Sequence, residues 1–281
     1  MGDGDRMNDD AGTRLAPPAL PRVDGRARLT VKRRDMRSVI DTVRTSGAAK
    51  LLFPRATERL DALLVNTAGG LTGGDRIELD IGIGAGATLA LTTQAAERAY
   101  RAASGIARVE SRVTVAEGGS LLWLPQELIL YDHASLRRSL RVDLAPSTRL
   151  LLVEPVIFGR AAMGETVRHG AFHDRIEITR DGVPLYLDSL RIEGDIAGRL
   201  ARPAIGRSAG AMASVVLVNP GAEGHLDAIR ALLPATGGAT VLASDLLAVR
   251  LVAADGYTLR RDLLPVLDRL TVDTLPAAWR L

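Results

Sequence analysis

Carboxylates set in apolar surroundings are the residues of this sequence best suited to chemistry. Glu127 stands in Leu122-Trp123-Leu124-Pro125-Gln126-Glu127-Leu128-Ile129-Leu130, and Glu154 in Leu150-Leu151-Leu152-Val153-Glu154-Pro155-Val156-Ile157-Phe158. A charge in such a run is expensive to bury unless it is paired, hydrated or metal-bound. Either acid alone can equally face water on a half-exposed strand. Asp75 closes the stretch Asn66-Thr67-Ala68-Gly69-Gly70-Leu71-Thr72-Gly73-Gly74-Asp75. Its two Gly pairs, Gly69/Gly70 and Gly73/Gly74, permit positive φ and close backbone approach. Gly69 and Gly74 have the spacing of a phosphate loop, but Asp75 occupies the position where such a loop needs Lys, and a strand-like run follows in place of a helix. A nucleotide site is disfavoured, and the spacing alone reads as a tight loop between strands.

The histidines are His133, His169, His173 and His225. His169 and His173 are four apart, which on a helix would let them clamp zinc or nickel. Their segment reads as loop into strand, where positions four apart lie roughly 13–14 Å from one another. They are read as surface or structural groups. His-Glu-x-x-His does not occur. The absence of Cys removes disulfides, thiolate metal sites and Cys nucleophiles.

The elements that must position the acids are mostly strands. Alternating runs span residues 26–33 and 37–45, joined through Arg34-Asp35-Met36, and shorter apolar runs span 47–54 and 60–65. A unit of strand, tight turn, strand and polar residue then occurs three times. Its second strands begin at Leu89, Leu121 and Leu150, at spacings of 32 and 29 residues. Such repeats point to stacked coils or a twisted two-sheet body. A fourth pair, 172–179 and 183–192, turns through Asp181-Gly182, a strong hairpin signal. Residues 95–105 are expected to hold a short helix and 194–210 a mobile loop. After a strand at 213–218 the pattern becomes helical at Leu226, Ile229, Leu232 and Leu233, and again at Leu259, Leu263, Leu267 and Leu270, with a kink expected at Pro265. Strands are expected at 240–243 and 246–252 between them. The fold class is therefore mainly β, with stacked strand pairs and a small C-terminal part carrying two helices. Residues 1–24 read as a disordered leader and 25–281 as one domain.

The repeats align the chemistry. Thr92, Thr93 and Gln94 hold in the first copy the phase that Gln126 and Glu127 hold in the second and Glu154 in the third. Stacked repeats put equivalent positions in a row, so these residues form a polar track through an apolar body.

Composition narrows the partners. Thirty-six basic and thirty-three acidic residues leave a net charge of +3, and the basic residues are nearly all Arg. Aromatics are only 3% and the arginines are scattered, unlike a nucleic-acid surface. No apolar run approaches the ~18 residues of a membrane span and no signal-peptide core is present, so a cytoplasmic protein is expected.

Three blocks, Gly69-Gly70-Leu71-Thr72-Gly73-Gly74-Asp75, Leu91-Thr92-Thr93-Gln94-Ala95-Ala96 and Trp123-Leu124-Pro125-Gln126-Glu127-Leu128-Ile129-Leu130-Tyr131, resemble in order the signature blocks of the urease accessory protein family UreD, also called UreH. Phe158-Gly159-Arg160 with Gly164-Glu165 is similar to the next block, and Leu275-Pro276-Ala277-Ala278-Trp279-Arg280 to the family's C-terminal end. His133 departs from the family, which often has a small residue there. The resemblance implies a maturation factor and not an enzyme. It implies a mainly β fold with two helices, and apo-urease, a UreF-type protein and a UreG-type GTPase as partners. It also implies no tightly bound cofactor, and nickel carried transiently along an internal passage. Carried onto this sequence, Asp75, Glu127, Glu154, Glu165 and Asp188 are the candidate passage-lining acids. Two other readings compete: an interaction platform in urease assembly that handles no metal, and a hydrolase using two facing acids.

Overall fold

The computed structural model describes residues 21–54 and 58–280. Most of the expected leader, 1–20, lies outside the described residues. The first strand, β1 (Asp24–Arg34), forms an antiparallel hairpin with β2 (Arg37–Gly47), and β3 (Ala49–Leu52) pairs antiparallel with β4 (Leu60–Asn66). The repeated units follow. They are β5 (Arg76–Ile83) with β6 (Thr88–Thr93), β8 (Ala107–Val115) with β9 (Ser120–Leu124), and β11 (Ser135–Leu144) with β12 (Arg149–Phe158). Two short strands, β7 (Glu97–Ala99) and β10 (Leu128–Leu130), lie in the connections. The chain continues through the hairpin β13 (Gly170–Arg180) and β14 (Val183–Gly194), then α1 (Ile196–Leu200) and β15 (Ala211–Val218). It ends in α2 (Leu226–Leu232), β16 (Gly237–Ala243), β17 (Leu246–Ala253) and α3 (Gly256–Thr271).

The two strands of each unit do not pair with each other. The first strands stack in parallel as β5, β8 and β11, inside a seven-stranded sheet ordered β14-β13-β11-β8-β5-β1-β2. The second strands stack as β6, β9 and β12, inside a ten-stranded sheet whose path runs β16-β17-β15-β12-β9-β6-β4-β3. Both expectations, stacked coils and a two-sheet body, therefore describe one architecture. Leu89, Leu121 and Leu150 are register partners on adjacent rungs. The turns stack as well. Gly86 and Gly118 both take positive φ, and Gly86 N–H donates to Glu117 O at 2.9 Å.

The seven-stranded sheet is buried on one face, so its strands alternate. Ala27, Leu29 and Val31 of β1 and Ile77, Leu79, Ile81 and Ile83 of β5 point inward. Its outer face carries charges in register: Arg26 beside Glu78 and Arg28 beside Asp80 on β1 and β5. The ten-stranded sheet is covered on both faces, by the first sheet and by the helices, and β15 is accordingly buried along its whole length. Leu259, Leu263, Val266 and Leu267 of α3 pack on it, and the helix runs through Pro265. Asp255 caps that helix, accepting Thr258 N–H at 2.7 Å.

One local expectation is corrected, and a second is corrected only over a five-residue helix. Residues 95–105 contain a strand in place of a helix. Glu97–Ala99 pairs in parallel with β10, while Arg98 O accepts from Leu71 N and Tyr100 N donates to Leu71 O, each at 2.7 Å. Local composition favoured a helix, but the neighbouring rungs supply ladder partners. In 194–210 the chain forms α1, capped by Asp195 on Gly198 N–H at 2.9 Å, with Ile196 and Leu200 buried against Val167 and Ile192.

Candidate functional site

The space between the sheets holds a row of polar groups. On the inner phase of the ten-stranded sheet, Glu154 of β12, Ser214 of β15 and Arg250 of β17 are partners on successive rungs. Opposite them, Arg138 of β11 and Asp174 of β13 are register partners in the other sheet. The same alternation that sends Leu136, Leu140 and Val142 into the core sends Arg138 there, and Asp174 follows Phe172 and precedes Ile176. A cavity of about 80 Å³ lies beside them, lined by Thr93, Glu97, Ser111, Gln126, Arg138 and Glu154 among apolar side chains. A smaller one continues past Glu154 to Asp174, Asp188, Ser214 and Arg250.

At the centre, Glu154 is 6% exposed. Its Oε1 accepts the Trp123 indole N–H at 2.7 Å, and its Oε2 lies 2.5 Å from Arg138 Nη1 without the alignment of a hydrogen bond. Arg138 holds Asp174 with two bonds, Nε to Oδ1 at 2.9 Å and Nη2 to Oδ2 at 2.6 Å. Burial pushes the Glu154 carboxyl up to about 7 against the pull of Arg138, and the neighbouring Asp174 charge adds to the rise. Burial also works against the Arg138 cation, but Asp174 and Glu154 outweigh it and hold the guanidinium above its usual range. One cation thus serves two acids.

The row reaches the surface at one end, where Asp188 pairs with the exposed Arg250 and accepts Ser214 Oγ–H at 3.5 Å. At the other end Glu97 accepts Asn66 Nδ2–H at 3.2 Å, and burial pushes its carboxyl up. Thr93 Oγ1 accepts Gln126 N–H at 2.9 Å and donates to Ala95 O at 2.9 Å. Thr92 is buried beside it and Gln94 is exposed.

The other named acids sit elsewhere. Glu127 meets Arg260 of α3 at 2.8 Å; Arg260 also donates to Gln126 Oε1 at 2.8 Å and to Trp279 O at 3.0 Å. Arg260 lies over the Trp279 ring, whose N–H donates to Leu124 O at 2.9 Å. Glu127 therefore clamps the C-terminal segment onto the outside of the ten-stranded sheet. Gln126 joins the two regions, since it lines the inner cavity while taking Arg260, and its buried Nε2 has no hydrogen-bond partner among the described residues. Glu165 pairs with Arg160 at 2.9 Å beside a separate surface cavity of about 430 Å³, and that pairing, working against burial, holds its carboxyl low.

Asp75 is 3% exposed and is used by the backbone. Its Oδ1 accepts Val23 N–H at 2.8 Å and its Oδ2 accepts Thr72 N–H at 2.7 Å. The glycines allow this. A Cβ on Gly73 would stand 2.1 Å from Ser104 O, and Gly74 has φ +93. The loop touches the row through Asn66, which bonds both Gly70 O and Glu97. The structure thus brings Thr93, Gln126, Glu154 and Asp188 to the interior row, and sets Asp75, Glu127 and Glu165 in local contacts outside it.

The sequence reading missed Arg138, Asp174, Ser214, Arg250 and Glu97. The signal was present: each of Arg138, Asp174 and Arg250 occupies the apolar phase of its strand. His173 pairs with Glu193 across the β13–β14 hairpin, and not with His169.

A family description, the UreD urease accessory protein, matches residues 23–280. The chain is 53% identical over 266 residues to the urease accessory protein UreD of Roseobacter denitrificans, covering 94% of this chain and 97% of that protein. It is 49% identical over 280 residues to the protein of the same name from a Ruegeria species, covering 96% and 94%. The UreD of Ruegeria pomeroyi is 47% identical over 253 residues, covering 89% and 98%. These relatives are named as accessory proteins and not as enzymes. Among the described residues, no helix is long and apolar enough to cross a membrane.

Proposed function

The chain belongs to the UreD family of urease accessory proteins, which act in urease maturation, and we propose that it binds apo-urease in the cytoplasm and, with UreF- and UreG-type partners, helps pass nickel to it along the interior row. The observation that carries this reading is the row itself: Thr93, Gln126, Glu154, Ser214 and Asp188 occupy inward positions between two apolar sheets. A body held together by burial alone has no use for such a line, because each desolvated charge works against the fold.

The donor set fits transit better than residence. Carboxylate, hydroxyl and amide oxygens hold a borderline ion such as nickel more weakly than imidazole or thiolate clusters do. Arg138 already answers Glu154 and Asp174, so an entering dication competes with a guanidinium for the same oxygens. Nickel here is cargo, and the protein is read as non-catalytic. Glu154 and Asp174 share one Arg, which leaves neither free as the acid or base of a hydrolase.

That same pairing favours one second reading. Every named acid of the row but Glu97 already has a cation, as an interaction platform without metal flux would have. Co-expression with urease subunits and a UreF-type protein tests both. The expected result is co-purification of the folded chain with both partners. Glu154→Gln and Asp188→Asn variants are expected to stay in the complex while nickel incorporation and urease activation fall. Full activation by assembled variants would leave the platform reading; a folded chain that ignores both partners would overturn the assignment of partners.

A further inference from the structure

A second set of metal-ligand residues lies outside the interior row. Asp132 and His133 form the turn between β10 and β11, and His169 immediately precedes β13. The sequence places His133 and His169 thirty-six residues apart, but the coils bring them together. His133 N–H donates to His169 O at 2.6 Å and Ala171 N–H to Ala134 O at 2.9 Å. These bonds extend the β11–β13 ladder, which pairs Ser135 with Ala171, back beyond the strands. The two imidazoles therefore stand on adjacent rungs. Their centroids are 4.8 Å apart with 15° between the planes, which is the spacing of neighbouring strands, about 4.7–4.9 Å.

The carboxylate is fixed beside them. Asp132 Oδ1 accepts both Arg168 N–H and His169 N–H at 2.8 Å. That leaves Oδ2, which lies 3.5 Å from His133 Nε2. One ligand atom from each of the three residues lies within 4.8 Å of the others. Metal–nitrogen bonds of about 2.0–2.1 Å place the ligand atoms of one tetrahedral ion roughly 3.3 Å apart. Small rotations of exposed rings close that difference. His133 adopts φ +63, in the left-handed region, where His is among the non-glycine residues found most often. The neighbouring cation Arg160 is answered by Glu165.

We propose that Asp132, His133 and His169 form a surface site for one divalent transition-metal ion of the nickel–zinc class, distinct from the interior row. Two imidazoles and one carboxylate select such ions over magnesium or calcium, and the remaining positions are open to water or to a partner's ligand. The site does not depend on the proposed nickel passage: it would bind metal in the isolated chain whether or not metal crosses the interior.

Equilibrium dialysis of the untagged full-length protein against nickel chloride, and separately zinc chloride, tests it. The wild type is expected to bind one ion that a His133→Gly/His169→Gln variant binds more than about 100-fold more weakly, since losing even an outer partner of a ligand costs on the order of 10–100-fold. Gly suits the left-handed φ at 133, and metal-free melting curves check that the variant folds. Asp132→Asn keeps an oxygen for the two backbone amides and is expected to weaken the same site, whereas Arg28→Ala, on the outer face of the seven-stranded sheet, is expected to leave it intact. Should the double variant fail to fold, NMR of the wild type decides: substoichiometric nickel must broaden the ring signals of His133 and His169 first. Equal binding by wild type and folded variant, no binding by the wild type, or broadening confined to other residues would overturn the proposal.

Discussion

The outer face of the seven-stranded sheet and the space behind it both stack charges on consecutive rungs, yet they behave as different materials. Outside, Arg28 and Asp80 sit 3.5 Å apart with side chains 62% and 61% exposed. Inside, Arg138, Glu154 and Asp174 make closer contacts with side chains 13%, 6% and 11% exposed. The ladder geometry is the same, and the solvent is not. Water screens the outer pairs to a median of about 0–1 kcal/mol. The inner group has lost its hydration and depends on its mutual contacts, so each member is needed by the others. A fold that tolerates outer charges for solubility keeps the inner ones against their desolvation, two acids on one cation and Glu97 on an amide, which is why the inner row is where function is sought.

The largest expected break in that comparison is Arg138→Met. It leaves Glu154 and Asp174 buried without their cation, and removing one partner of such a group costs on the order of 3–5 kcal/mol. Chemical denaturation at neutral pH measures it. Arg138→Met combined with Glu154→Gln and Asp174→Asn removes the stranded charges and is expected to recover much of the loss. If Arg138→Met proved as mild as an outer-face substitution, the interior would be wetter than its burial indicates.

The second contrast is in pH. Burial lifts the Glu154 carboxyl in the folded chain to about 7, from 4.5. Between those values the native state binds more protons than the unfolded state, so stability falls as pH rises through this window. By the linkage relation the full effect above pH 7 is about 3 kcal/mol. Glu154→Gln is expected to flatten that slope, read from denaturation midpoints between pH 4.5 and 8. Glu97, also pushed up by burial, acts in the same direction and remains in the variant. A slope unchanged by Glu154→Gln would mean that another group carries the proton.

The architecture was legible where one periodicity dominated. The leucines at 89, 121 and 150 announced stacked coils, and they are bonded rung to rung. The Asp181-Gly182 turn announced the β13–β14 hairpin. The site was legible in part. Glu154 stood out because its apolar run is nearly unbroken, and Asp75 because its glycines had to serve something. Arg138 did not stand out, since Arg137-Arg138 in a strand flanked by charges looks like solvated surface until the alternation is counted from Leu136 and Leu140. His133 and His169 were unreadable for another reason: their proximity depends on the rung spacing between two coils, and each histidine alone has a surface setting. Residues 95–105 misled because the ladder partners that make Glu97–Ala99 a strand come from Leu128–Leu130, thirty-one residues on.

The smallest effect completes the comparison from the outer side. Arg28→Ala removes a cation whose partner Asp80 remains in water and whose loss strands nothing. The expected change in unfolding free energy is under about 1 kcal/mol, shrinking further at high salt because exposed pairs are screened. Denaturation of Arg28→Ala and Arg138→Met at low and high ionic strength separates the two regions directly. The outer variant's loss is expected to fade with salt, and the inner variant's loss to persist, because bulk salt screens buried groups far less than exposed ones. A loss at Arg28 that rivalled the loss at Arg138 and resisted salt would mean that the outer face is not solvated surface. Burial depth would then no longer explain why one ladder of charges is tolerated and the other must be paired.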